Sequence, residues 1–117
     1  SMIEASCQFG AVSLRVEDAP DTVTECNCYL CSRTGGLWAY YKPSEVRIEG
    51  ETDFYIWGDK SLRLHRCKVC GNVTHWSPVD PALERMGVNT RLMSREIWTA
   101  ARVRKFDGAD TWEEITD

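Results

Sequence analysis

Six cysteines are the residues of this 117-residue chain whose type and spacing could do chemistry. They fall at three places: Cys7 alone, the run Cys26-Asn27-Cys28-Tyr29-Leu30-Cys31, and the turn Cys67-Lys68-Val69-Cys70-Gly71. The turn has the C-x-x-C-G form of a zinc knuckle. Zinc–sulfur bonds of ~2.3 Å put two thiolates on a tetrahedral ion roughly 3.8 Å apart, a spacing that two intervening residues can supply. The glycine that follows admits a left-handed backbone, which lets amide hydrogens turn toward sulfur. The C-x-C-x-x-C run offers three soft ligands within six residues, a set that suits zinc better than magnesium or calcium. Structural zinc is closed by four protein ligands, whereas catalytic zinc keeps three and leaves a position for water or substrate. Three local thiolates with no evident fourth fit the open case, and a distant ligand would make it the closed one. Cys7, just ahead of an apolar segment, reads either as a small buried hydrophobe or as a third ligand for Cys67 and Cys70.

Two other thiol chemistries compete with metal binding. An even count of six permits fifteen disulfide pairings. At about 5% of residues, however, the cysteines fall below the ~8–10% of a disulfide scaffold, and a chain of this length needs no staples. No basic segment followed by an apolar one opens the sequence, and Ser1 ahead of Met2 reads as a tag remnant. The expected compartment is therefore the cytoplasm, where disulfides are rare. A thioredoxin-like redox C-x-x-C wants a βαβ setting; here an apolar strand precedes the motif and glycine follows it.

The elements that must position these thiols read as strands. Val12, Leu14 and Val16 alternate with polar residues, as do Val46 and Ile48, and Leu62 and Leu64 run straight into Cys67. Leu37–Tyr41, Phe54–Trp57, Val73–Trp76, Val88–Met93 and Ala101–Phe106 have the same short, punctuated character. Helix signals are sparse: Asp80–Met86, with Asp80 as cap and Pro81 first, and a turn at Ser94–Trp98 with Ile97 and Trp98 inward. The expectation is one mainly-β domain over residues 3–106, with at most one or two short helices, followed by a polar C-terminal tail at 107–117. Fourteen Lys and Arg against eighteen Asp and Glu leave a net charge of −4, which argues against nucleic acid as a partner. No stretch approaches the ~18 apolar residues of a membrane span. The number of aromatics needing burial is compatible with a homodimer.

Taken in order, Cys7-Gln8-Phe9-Gly10-Ala11-Val12, the C-x-C-x-x-C run and the C-x-x-C-G turn resemble the glutathione-dependent formaldehyde-activating enzymes, whose domain also occurs in centromere protein V. The resemblance runs from about Cys7 to Phe106. It implies a single-domain β-tent fold derived from a zinc ribbon, and one or two zinc ions per chain. It implies a structural centre at Cys7, Cys67 and Cys70, and a reactive, three-coordinate one at Cys26, Cys28 and Cys31. The implied activity is that of a carbon–sulfur lyase acting on the adduct of glutathione with formaldehyde, S-hydroxymethylglutathione. The partners would be a small thiol and an aldehyde.

One residue departs from the family pattern. Phe9 stands where the second N-terminal cysteine belongs, and a phenyl ring cannot bind zinc. His65, His75 or water could supply the missing bond, or Cys67 and Cys70 could join cysteines of the 26–31 run in one closed tetrathiolate site. That last outcome describes a non-catalytic structural module. Glutathione carries two carboxylates, so its groove should offer cations. Arg33, two residues past Cys31, is the first candidate, followed by Arg63, Arg66, Lys68 and Arg91, with Trp38, Tyr40 and Tyr41 as pocket walls.

Overall fold

The computed structural model describes residues 2–116. Among them run ten strands: β1 (Ile3–Ser6), β2 (Ser13–Val16), β3 (Thr22–Cys26), β4 (Trp38–Tyr41), β5 (Val46–Glu49), β6 (Thr52–Tyr55), β7 (Leu62–Cys67), β8 (Val73–Pro78), β9 (Met86–Asn89) and β10 (Arg102–Phe106). Two short helices, α1 (Cys31–Thr34) and α2 (Arg95–Ala100), complete the set with 3-10 turns at Pro43–Glu45 and Thr90–Leu92. Ser1, read as a tag remnant, and Asp117, the end of the expected tail, lie outside the described residues.

The alternation in β2 does what its period dictates. Leu14 and Val16 are buried with Val12, while Arg15 between them points outward and pairs with Glu4. This strand is the centre of a three-stranded sheet ordered β1-β2-β5. The other seven strands form one sheet ordered β10-β3-β4-β9-β8-β7-β6. Pairing is antiparallel except between β10 and β3, which run parallel with Phe106 opposite Cys26. The core between the sheets holds Ala5, Leu14, Val16, Met86, Val88 and Met93 together with Cys7 and Cys67. Ile97 and Trp98 of α2 pack against it, as their inward placement in the sequence reading requires. The mainly-β, single-domain β-tent expectation holds.

Three local readings need correction. Asp80–Met86 is one turn, not a helix. The Asp80 carboxylate accepts from the Ala82 amide at 2.9 Å and its carbonyl from Leu83 at 3.1 Å, as a cap would. Met86, however, is buried and pairs with Tyr41, so the chain must be extended again by that point. The Val88–Met93 strand stops at Asn89, whose side chain accepts from the Arg91 amide at 3.2 Å and starts the 3-10 turn. The Phe54–Trp57 strand lies two residues earlier, at Thr52–Tyr55. Strands β1 and β3 and helix α1 carry no periodic signal in the sequence: β1 buries Ala5 alone, β3 buries the consecutive Val23 and Thr24, and α1 is a single turn of four residues.

Candidate metal centres

The thiols meet in two groups of three, Cys7 with Cys67 and Cys70, and Cys26 with Cys28 and Cys31. Within each group the sulfurs lie within 4.8 Å of one another, so each could hold a metal ion. The shared tetrathiolate site does not form among the described residues.

The first group joins the loop after β1 to the turn after β7. Cys7 follows β1 in a turn closed by Gly10 N–H on the Cys7 carbonyl at 3.1 Å, and the Val12 amide donates to its sulfur at 3.3 Å. Cys67 ends β7, and Gly71 adopts φ +76°, the left-handed conformation the C-x-x-C-G turn asked for. The turn aims the amides of Val69 and Cys70 at the Cys67 sulfur, at 3.3 and 3.5 Å. The Asn72 side chain ties the two loops together by accepting from the Gln8 amide at 2.7 Å. Backbone amides of Asn72 and Phe9 point at Cys70 and bring its thiol down to about 7. Phe9 thus serves this centre through its backbone, while its ring is 63% exposed.

Neither histidine is a fourth ligand. His65 and His75 stack at 4.1 Å between centroids, 10° from parallel. His65 uses both ring nitrogens, toward Thr52 at 2.9 Å and Ser77 at 2.7 Å, and His75 hydrogen-bonds Thr74 at 2.8 Å. Burial, helped by the neighbouring His65, lowers His75 to about 3, so the buried ring is neutral.

The second group is local to one loop. β3 delivers Cys26, and Cys31 opens α1. The Cys28 amide donates to the Cys26 sulfur at 3.4 Å and the Cys31 amide to the Cys28 sulfur at 3.2 Å. Burial raises Cys31 far above a free thiol, and its hydrogen bond and proximity to Cys28 add to the effect. Burial also raises Cys26. At Cys28 burial is outweighed by hydrogen bonds from the Cys31 backbone and from both neighbouring thiols, and the net shift is downward. Three thiolates packed this closely would repel one another, so charging all three calls for a cation among them. A cleft of about 410 Å³ opens beside this group, lined by Cys26, Cys31, Gly36, Arg91, Lys105 and Phe106.

Of the cations expected in a carboxylate-binding groove, Arg91 lines the cleft, its Nε holding the Gly35 carbonyl at 3.0 Å. Arg33 lies next to the loop but is turned onto Tyr29, 2.8 Å from its carbonyl and 3.8 Å over its ring. Arg63 donates to the Pro78 carbonyl, and Lys68 faces Glu51 at 4.0 Å. Arg66 is exposed on β7. Trp38 is buried beneath Gly36, Tyr40 packs near Trp76, and Tyr41 reaches the Asp18 carbonyl, so none of the three walls the cleft. Lys105 was missed in the sequence, where nothing local links β10 to Cys26.

A family profile described as "Glutathione-dependent formaldehyde-activating enzyme" matches residues 2–106. The fold resembles the crystal structure of a Rhodobacter sphaeroides protein with a TM-score of 0.70, at 24% identity over 86% of this chain and 99% of that one. The sequence matches no curated protein. No helix among the described residues is long and apolar enough to cross a membrane.

Proposed function

The chain belongs to the glutathione-dependent formaldehyde-activating enzyme family, and on that premise we propose that it is a zinc protein acting as a carbon–sulfur lyase on a glutathione–formaldehyde adduct. The working centre in this reading is Cys26, Cys28 and Cys31; Cys7, Cys67 and Cys70 hold a second, structural ion. The observation that carries it is the convergence of three thiols, half-buried, at the edge of a cleft that also presents Arg91 and Lys105.

The donor set fits zinc. Sulfurs within 4.8 Å need only a small contraction to reach the roughly 3.8 Å of a tetrahedral thiolate site. Zinc there would stabilise a substrate thiolate and polarise a carbonyl oxygen. The chain's own residues do the rest. Arg91 and Lys105 offer charge to the two carboxylates of glutathione, and the cleft holds thiol and aldehyde within reach of each other. In the lyase direction the hydroxymethyl oxygen gives its proton to solvent water, the carbon–oxygen double bond forms, and the carbon–sulfur bond breaks to release thiolate and formaldehyde. The reverse joins the same atoms. The proposed location is the cytoplasm, where free thiols stay reduced, and small molecules rather than nucleic acid as partners accord with the net charge of −4.

Zinc stoichiometry of the purified chain and of Cys28→Ser tests the reading. A folded variant that has lost one zinc and all glutathione binding supports it. A variant that unfolds places a structural ion on the 26–31 loop and favours the non-catalytic module.

A further inference from the structure

The Cys26–Cys28–Cys31 group is flanked by a piece of chain beyond the family match. Residues 107–116, which the sequence presents as a polar tail, fold back after β10. The Trp112 amide donates to the Asp107 carbonyl, the Asp107 amide to Glu113 and the Ile115 amide to Lys105, at 2.7 to 2.8 Å. The Asp107 carboxylate holds the Thr111 amide and hydroxyl at 3.1 and 2.9 Å. This strap is pinned by Asn27, the residue between two of the clustered cysteines. Its side-chain amide donates to Asp107 and accepts from the Ala109 amide, both at 3.0 Å, and its backbone amide donates to the Phe106 carbonyl at 3.1 Å.

Gly108 sits at the pinning point. A Cβ there would lie 2.6 Å from the Cys26 sulfur, 3.2 Å from the Cys28 Cβ and 3.5 Å from the Trp112 ring. The strap backbone therefore rests on a candidate ligand sulfur with no room for a methyl group. The Trp112 ring lies next along the strap, edge-on to Phe106 at 5.2 Å, and Ile115 joins the cleft lining. Trp112 is 70% exposed, so the fold gains little from burying it.

We propose that residues 107–116 are the specificity wall of the Cys26–Cys28–Cys31 centre. The strap closes the flank at Cys26 through Gly108, Trp112 and Ile115 and leaves entry past Gly36 and Arg91. The ligands selected are thiols and thiol adducts that are slender next to sulfur and carry a carboxylate, as glutathione does, and thiols with a ring system at the sulfur are turned away. This rests on the thiol-site reading above, but its steric content stands apart from it.

The test uses the full metal-loaded chain with Trp112→Ala, Trp112→Phe, Ile115→Ala and Gly108→Ala. Alkylation of Cys26 by iodoacetamide and by a bulky dye-maleimide is read by mass spectrometry. In the parent chain the bulky reagent should lag. Trp112→Ala should narrow the gap by about tenfold, the scale of discrimination a hydrophobic wall supplies, and Trp112→Phe should restore it. Ile115→Ala gives the same reading if Trp112→Ala fails to fold. In cobalt(II)-loaded protein, Trp112→Ala should raise affinity for 2-naphthalenethiol and leave that for 2-mercaptoethanol unchanged. Gly108→Ala should perturb the cobalt bands of the Cys26 centre alone. An unchanged ratio of bulky to small reagents in both Trp112→Ala and Ile115→Ala overturns the wall. If no thiol alters the parent cobalt spectrum, the thiol-site reading fails, and the alkylation ratio still decides the strap.

Discussion

The two cysteine groups have the same three donors and opposite settings. Cys7 and Cys67 are buried in the core beside Leu14 and Val88, and their group joins positions sixty residues apart. Cys26, Cys28 and Cys31 are half-buried, span six residues and border a cleft. A clip across a long loop removes more chain entropy than one across a short loop, by about 0.6 kcal/mol for each doubling of loop length. In the proposed reading the first group is the one placed to stabilise the fold, and the second could give up an ion at little cost to the fold. The donors are the same; loop length and burial separate the two settings.

The largest expected effect comes from breaking the first group. Cys67→Ser should abolish the cooperative thermal transition measured by circular dichroism, since a structural zinc contributes on the order of 10–16 kcal/mol of apparent binding free energy. Next is stepwise chelation. The Cys26 centre should release its ion first, with the melting temperature displaced by no more than about 5 °C, or roughly 1 kcal/mol. The second equivalent should leave only as the chain unfolds. Simultaneous loss of both ions would erase the distinction between the groups.

A smaller change sharpens it. Phe9→Cys sets a thiol where the Phe9 amide already faces Cys70. Competition against a chelating dye should show zinc held at least about tenfold more tightly at the first group, equivalent to roughly 1.4 kcal/mol. Glutathione binding should not change. The smallest effect is at Lys105, an exposed cation on the cleft. Lys105→Ala should weaken glutathione by a few-fold, in line with ~0.2–1 kcal/mol for an exposed charge pair, and flatten the salt dependence of binding. Zinc content should stay as it was.

Much of the architecture was legible because its signals are local. The alternation of Val12, Leu14 and Val16 and the apolar residues leading into Cys67 announce their strands through side-chain period alone. The Asp80–Met86 reading failed for a physical reason: a cap and a proline favour a first helical turn, but Met86 gains more by entering the core in β9. Arg33 lies beside the second group as its position implied, yet its guanidinium is spent on Tyr29, an interaction that spacing cannot reveal.

By itself the sequence determined the thiol clusters, the left-handed turn at Gly71 and the mainly-β character, because each depends on residues only a few positions apart. Tertiary structure decided that Cys7 joins Cys67 and Cys70, that the histidines pair with each other, and that Lys105 and Gly108 reach the Cys26 loop. The last of these follows from the parallel pairing of β10 with β3. A strand's alternation specifies which face it buries but not which strand it pairs with; that choice is made by packing across the whole sheet.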